Sequence, residues 1–265
     1  MKINPNVLRK KVIDMVVAKQ SGHIGGAFSM AELTSVLYED YDIGGKDKLI
    51  LSKGHAVPII YAVLHELGKI SDDDLDLFRE IDSPLQGHPD KLRLPLMDAT
   101  TGSLGQGLSI AIGHSLGKNL RGEDGTVFCV LGDGELQEGQ VWEAFMYASG
   151  KKVDNLIATI DYNQKQIDGS TDDVLPMGNL KSKLEAFDWL VLEEKKGNNI
   201  QAVIDILTKA KTLTGKGKPV AIILHTEMGN GVDFMMGTHK WHGSAPNDEQ
   251  LDEALSQNPV TLGDY

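Results

Sequence analysis

The chain has 265 residues, 41% of them hydrophobic and 24% charged, which is an ordinary globular balance with enough apolar side chains for a core that needs no staples. Its 38 acidic residues outnumber 26 basic ones and leave a formal net charge of −12, which argues against nucleic acid and anionic membrane surfaces as partners. A lone cysteine, Cys129, excludes an intramolecular disulfide or thiolate metal cluster; with neither an apolar signal core nor a run near the ~18 apolar residues of a membrane span, a cytoplasmic protein is expected.

Asn4-Pro5 predicts a capped helix start, and Leu8, Val12, Met15 and Val16 recur on one helical face behind it. A helix is expected over 30–40, a short strand over 48–51 and an apolar helix over 57–67. Ser71 followed by Asp72, Asp73 and Asp74 reads as a capped helix start whose charge run compensates the helix dipole on a surface face. A helix over 106–120 comes next. Strands over 126–131, 156–161, 189–193 and 219–224 then alternate with helices over 140–149, 179–187 and 199–213, and a short acidic helix over 248–256 closes the pattern.

Short β-rich runs separated by amphipathic helices predict an α/β fold, a mostly parallel sheet covered by helices on both faces. Without repeats, low-complexity linkers or a composition break, a single domain over 1–265 is expected. Two stretches, 83–103 and 225–247, follow neither period. They are rich in Gly, Pro, His and Thr but also carry Met, Trp and Leu, so ordered loops lining a site are expected.

Gly132-Asp133-Gly134 directly follows one predicted strand and Asn163 closely follows the next, with a helix between them. That βαβ unit puts both polar side chains at carboxyl ends of parallel strands, where open α/β sheets bind ligands. Asp133 offers an anionic oxygen and Asn163 a neutral one, a pair suited to magnesium or calcium bridging a diphosphate, and the glycines let the backbone approach closely. A Gly-Asp-Gly by itself is more often only a tight turn.

Four further stretches accompany it. They are Ser21-Gly22-His23-Ile24-Gly25-Gly26, Leu51-Ser52-Lys53-Gly54-His55, Thr101-Gly102-Ser103-Leu104-Gly105-Gln106-Gly107, and the run from Ile160 through Asn163 to Ile167-Asp168-Gly169. Gly-Asp-Gly with 28 intervening residues before Asn163 resembles the thiamine diphosphate-binding signature, and the five motifs in this order resemble transketolase. The resemblance runs from about Lys19 to Pro246, with Ile24 standing where the family usually has proline.

The resemblance implies a thiamine diphosphate-binding fold, specifically its diphosphate-binding domain, with thiamine diphosphate and magnesium or calcium as cofactors. Asp133, Asn163 and the main-chain carbonyl of Lys165 would hold the metal. Gly134, His55 and His242 would contact the diphosphate, and Gly102 and Leu104 the aminopyrimidine ring. His23, His88 and His242 would line the channel that receives the sugar, and Glu138 would sit near a subunit junction. Familiar transketolase chains continue into a second domain, which supplies the glutamate that meets the pyrimidine ring, and a third. Here the resemblance covers the first domain alone. The expectation is therefore one subunit of a split transketolase, completed by a C-terminal subunit in a heterotetramer and acting on sugar phosphates or related substrates.

Two other readings share the fold. A thiamine-binding α subunit of a 2-oxo acid dehydrogenase component has the Gly-Asp-Gly signature but not the Ser-Gly-His and Leu-Ser-Lys-Gly-His segments. A non-catalytic scaffold would have little use for Asp133, Asn163, His23, His55 and His242 together. Among the remaining histidines, His65, His114 and His225 read as structural, and His239 faces either cofactor or solvent. Met228, Met235 and Met236 read as packing or a hydrophobic lid, and Cys129 as an inert buried thiol.

Overall fold

The computed structural model describes residues 2–259. Asn4 caps α1 (Pro5–Lys19) by accepting from the Asn6 amide at 2.9 Å, with Pro5 at the first helical position. The chain continues through α2 (Gly25–Phe28), α3 (Ala31–Asp40), β1 (Lys48–Leu51), α4 (Pro58–Glu66) and α5 (Asp72–Asp76). Ser71 and Asp74 close α5 with the expected reciprocal cap. Then come α6 (Gly107–Arg121), β2 (Val127–Gly132), α7 (Gly139–Gly150), β3 (Leu156–Tyr162), β4 (Lys165–Gln166), β5 (Gly169–Ser170), α8 (Thr171–Val174) and α9 (Leu180–Ala186). The remaining elements are β6 (Leu190–Glu194), α10 (Ile200–Leu213), β7 (Val220–His225) and α11 (Asp248–Ser256).

Five strands form one wholly parallel sheet in the order β1-β2-β3-β7-β6. The inner strands β2, β3 and β7 are buried on both faces because alternate side chains enter different cores, while edge strand β6 is only partly covered. Phe128, Val130, Ile157, Ile222 and Leu224 pack beneath α1, α3, α4 and α10. Cys129, Leu131, Ala158, Ile160 and Ile223 pack beneath α6, α7 and α9. Cys129 is fully buried, and burial pushes its thiol well up, as expected of an inert residue. Among the described residues no helix is long and apolar enough to cross a membrane.

The winding direction locates the ligand edge. From β1 to β2 to β3 the chain moves one way across the sheet, whereas β7 returns from β6 to insert beside β3. The carboxyl ends of β2, β3 and β7 therefore flank a reversal of strand order, the position where such sheets open a crevice. Register places Gly132 beside Asp161 and Tyr162 beside His225 along that edge.

The predicted strands and longer helices lie within a residue or two of the observed ones. The helical turn α2, the β4–β5 hairpin and α8 are additions, two to four residues each and too short to show a period. The 83–103 and 225–247 stretches are indeed irregular, apart from His225, which ends β7, and short 3-10 turns at Asp233–Met235 and Lys240–His242.

Candidate active site

After Gly132 the chain turns sharply, and the Asp133 side chain accepts from the Gly134 amide at 2.8 Å and from the Gln164 amide. The residue is 1% exposed. Burial first, and the Asp161 carboxylate second, push its carboxyl up to about 7. A carboxylate held at such cost, with a second carboxylate nearby, is a ready partner for a cation.

Asp161, at the end of β3, is itself fully paired. It forms a buried ion pair with Lys53 and accepts from Ser29 Oγ at 2.6 Å, Asn163 Nδ2 at 3.2 Å and the Thr226 hydroxyl. The bond to Asp161 fixes which way the Asn163 amide faces, and Asn163 Oδ1 accepts from the Lys165 amide at 3.0 Å. Lys165 opens the β4–β5 hairpin, which folds over the Gly132–Gly134 turn so closely that a Cβ at Gly134 would lie 2.8 Å from Gln166 Cβ. Gly134 is therefore required by a close approach.

Opposite this oxygen-bearing wall stands a group of imidazoles. His55 lies 5.1 Å from His23 and 5.0 Å from His242 between ring centroids, while His23 lies 5.7 Å from His242 and 6.2 Å from His88. They come from four separate segments: the turn before α2, the turn after β1, the 83–103 loop and the 225–247 loop. Burial, followed by neighbouring positive groups, holds His23 and His242 down at about 4 and His55 well below its ordinary value. His88, at the exposed rim, is lowered by burial and then by Arg79. The cluster is neutral at pH 7, and His23 Nδ1 and His242 Nδ1 are buried without hydrogen-bond partners. Buried donors or acceptors left unpaired fit a polar ligand that completes them.

Between the two walls lies a cleft of about 270 Å³. Asp133, Gly134, Asn163, Lys165, His55, His242, Leu104 and Glu138 all line it, with Lys53 and Met228 beside them. His23 joins through its ring contacts with His55 and His242, and His88 through its contact with His23. Gly102 sits beneath His88, where a Cβ would come within 3.1 Å of the ring, and Glu138 is exposed at the cleft edge. The structure thus brings together all of the residues singled out from the sequence.

Three further residues matter, and the sequence reading passed over them. Lys53 and Asp161 form the buried pair just described. Glu135 accepts from Ser52 Oγ and from the amides of Gly105 at 3.0 Å and Gly132 at 3.1 Å, joining three of the motif loops through one carboxylate. The available signal was polarity out of place: Asp161 is a carboxylate near the end of a mostly apolar strand, Lys53 sits within a quoted motif and Glu135 directly follows one.

The histidines read as structural stay outside the cleft. His65 bonds Asp72 at 2.8 Å, His225 bonds Glu193 at 2.8 Å, and His114 lies on α6. His239 is half-buried and its carbonyl caps the turn carrying His242. Met228 and Met235 are buried and Met236 is partly exposed.

The donor set can be tested against the ligands it would hold. Among the described residues no group of three or more His, Cys, Asp or Glu side chains gathers as a metal site. A metal here would instead take Asp133, the Asn163 amide oxygen and the Lys165 carbonyl, with remaining oxygens from the ligand, a composition that suits magnesium or calcium. The buried, raised Asp133 carboxyl and the unpaired imidazole nitrogens opposite it fit a metal-bound anionic group.

The family model described as transketolase, thiamine diphosphate binding domain, matches residues 2–259. The chain belongs to the transketolase family. It is 36% identical over 260 residues to a 6-deoxy-6-sulfo-D-fructose transketolase subunit of Clostridium sp. (strain MSTE9), covering 95% of this chain and 94% of that one. To an apulose-4-phosphate transketolase subunit of Phocaeicola vulgatus it is 35% identical, covering 94% of this chain and 90% of that one. Among solved structures, a Pichia stipitis transketolase variant superposes with a TM-score of 0.89 at 27% identity over 98% of this chain. The chain spans 41% of the length of that transketolase.

Proposed function

We propose that this chain is the diphosphate-binding subunit of a two-chain transketolase that moves a two-carbon ketol unit from a ketose to an aldose. The carrying observation is a single cleft with Asp133, Asn163 and Gly134 on one wall and His23, His55 and His242 on the other. Thiamine diphosphate, when bound, supplies the nucleophilic carbon and electron sink that allow cleavage beside a ketose carbonyl. Everything else falls to the chain. Asp133, Asn163 and the Lys165 carbonyl hold magnesium or calcium, His55, Gly134 and His242 receive the diphosphate, and Leu104 and Gly102 support the aminopyrimidine. His23, His88 and His242 hold and move protons at the hydroxyls and carbonyl of the sugar, a task for which neutral imidazoles are suited because they both donate and accept.

The cofactor's other half needs a second chain. Two relatives matched over nine-tenths of their length are named as transketolase subunits, and the matched solved transketolase is more than twice as long as this chain. We infer a single domain over 1–265 and a partner carrying the pyrimidine-binding and C-terminal domains. Glu138 lies at the junction, the assembly is a heterotetramer, and the compartment is the cytoplasm. Substrates are sugar phosphates or similarly anionic sugars, in keeping with the phosphate and sulfonate in the relatives' names.

The test is ketol transfer from xylulose 5-phosphate to ribose 5-phosphate, with thiamine diphosphate and magnesium, by this chain alone, its co-purifying chain alone and their mixture. Activity in the mixture only is expected. Turnover by this chain alone would contradict the split site, and a mixture inert toward every phosphorylated or sulfonated ketose tried would contradict ketol transfer.

A further inference from the structure

We propose that Arg79 is a positioning residue that sets where His23 and His88 stand across the sugar channel, an inference that rests on the transketolase-type site proposed above. Arg79 occupies the left-handed region at φ 62°, which a residue with a side chain seldom adopts. Its amide donates to the Leu85 carbonyl at 2.8 Å, folding the end of the α5 segment back onto the loop that carries His88.

The guanidinium then touches both histidine-bearing segments. Nη1 donates to Ser21 Oγ at 3.0 Å, two residues before His23. Its flat face lies against the main chain of Gly87, the residue before His88: a Cβ there would come within 2.6 Å of Arg79 Cζ and 2.8 Å of Nε. The same guanidinium lies 5.7 Å from the centre of the Phe78 ring. Nε is buried with no hydrogen-bond partner, so the group is seated by its planar shape more than by its donors, a role that lysine cannot fill.

Each histidine is backed on its far side as well. A Cβ at Gly22 would lie 2.7 Å from Val16 Cγ2 of α1, and one at Gly102 would lie 3.1 Å from the His88 ring. Arg79 is thus the wedge between two segments otherwise pressed on α1 and on the Gly102 turn, and its charge also favours the neutral form of both rings. Tyr61 steadies the same loop independently, donating to the Gln86 carbonyl at 2.9 Å. Loss of Arg79 therefore leaves the loop attached but shifts its histidine.

The experiment uses R79M and R79K in the whole chain, with two readouts. The first is the ring NMR signals of His23 and His88 in the cofactor-free chain, with His65 and His225 as controls. The second is KM and kcat in the assembled complex. In R79M the His23 and His88 signals are expected to move while the controls stay. Affinity for thiamine diphosphate is expected to hold within about twofold and KM for the sugar to rise about ten- to hundredfold. R79K restores neither. Unmoved His23 and His88 signals in folded R79M overturn the proposal. Moved signals with unchanged KM leave Arg79 as the positioning residue and overturn instead the assignment of these histidines to the sugar channel. Where R79M fails to fold, G87A, which lifts the guanidinium off the loop, gives the same two readouts with the same meaning.

Discussion

His23 and His242 show how one residue's surroundings set both chemistry and stability. Their rings are held down at about 4 against an ordinary 6.5, by burial first and by neighbouring positive groups after it. The folded chain keeps them neutral, while an unfolded chain takes up protons below 6.5. Stability from these residues is therefore fully present above pH 6.5 and is lost as pH falls toward 4. In the cofactor-free chain the thermal midpoint is expected to drop across that window, and His23→Gln to make the drop smaller. A wild-type midpoint that stays flat between pH 6.5 and 4 would contradict the neutral cluster. The same neutrality was not legible in the sequence. The resemblance marked the candidate histidines, but only the packing of four distant segments reveals that the rings approach to 5–6 Å.

Elements in this chain meet with little spare room where the motif loops converge. At the first position of α6, a Cβ on Gly107 would lie within 2.6 Å of Ser52 Cα, in the turn after β1. Because the obstacle is main chain, no rotamer change relieves it. Gly107→Ala is expected to lower stability by about 1–3 kcal/mol through overpacking, read as a lower urea midpoint with an unchanged slope. A midpoint equal to wild type would mean that the glycines of the 101–107 motif serve backbone freedom alone; Gly102 and Gly105, at φ 147° and 87°, do require that freedom.

At this scale the sequence was most informative where the physics is local. Asn4 and Ser71 cap their helices as their spacing implies, and the apolar runs of β2, β3 and β7 are strands buried on both faces. What escaped was structure held by tertiary contacts. The β4–β5 hairpin has two residues per strand, packs closely over Gly134, and is entered by Gln164 with φ 60°. No period exists in so few residues to announce it.

Across the whole molecule, buried polar groups connect the helical layer to the loops that close the cleft. Arg9 of α1 pairs with Glu32 of α3 at 2.6 Å, Asn198 donates to Glu32 at 3.0 Å, and the Glu227 amide donates to Asn198 at 2.8 Å. Met228 lines the cleft one residue further on, and His242 follows in the same loop. The five motifs and the wider resemblance made the site residues legible from the sequence, although His88 and His242 lie outside the quoted segments. The network that holds them was not, because Arg9, Glu32 and Asn198 carry no motif and are joined only by the fold. The cation half of the account rests on Asp133, whose carboxyl is buried beside Asp161 at the carboxyl edge of the sheet. The measurement closest to that claim is equilibrium binding of thiamine diphosphate and magnesium to the complex of this chain with its co-purifying chain, wild type against Asp133→Ala. Metal-dependent binding is expected in wild type and at least about a 100-fold loss in the variant, since even groups that only orient metal ligands are worth 10–100-fold. Unchanged metal-dependent affinity in a folded Asp133→Ala complex would contradict that claim.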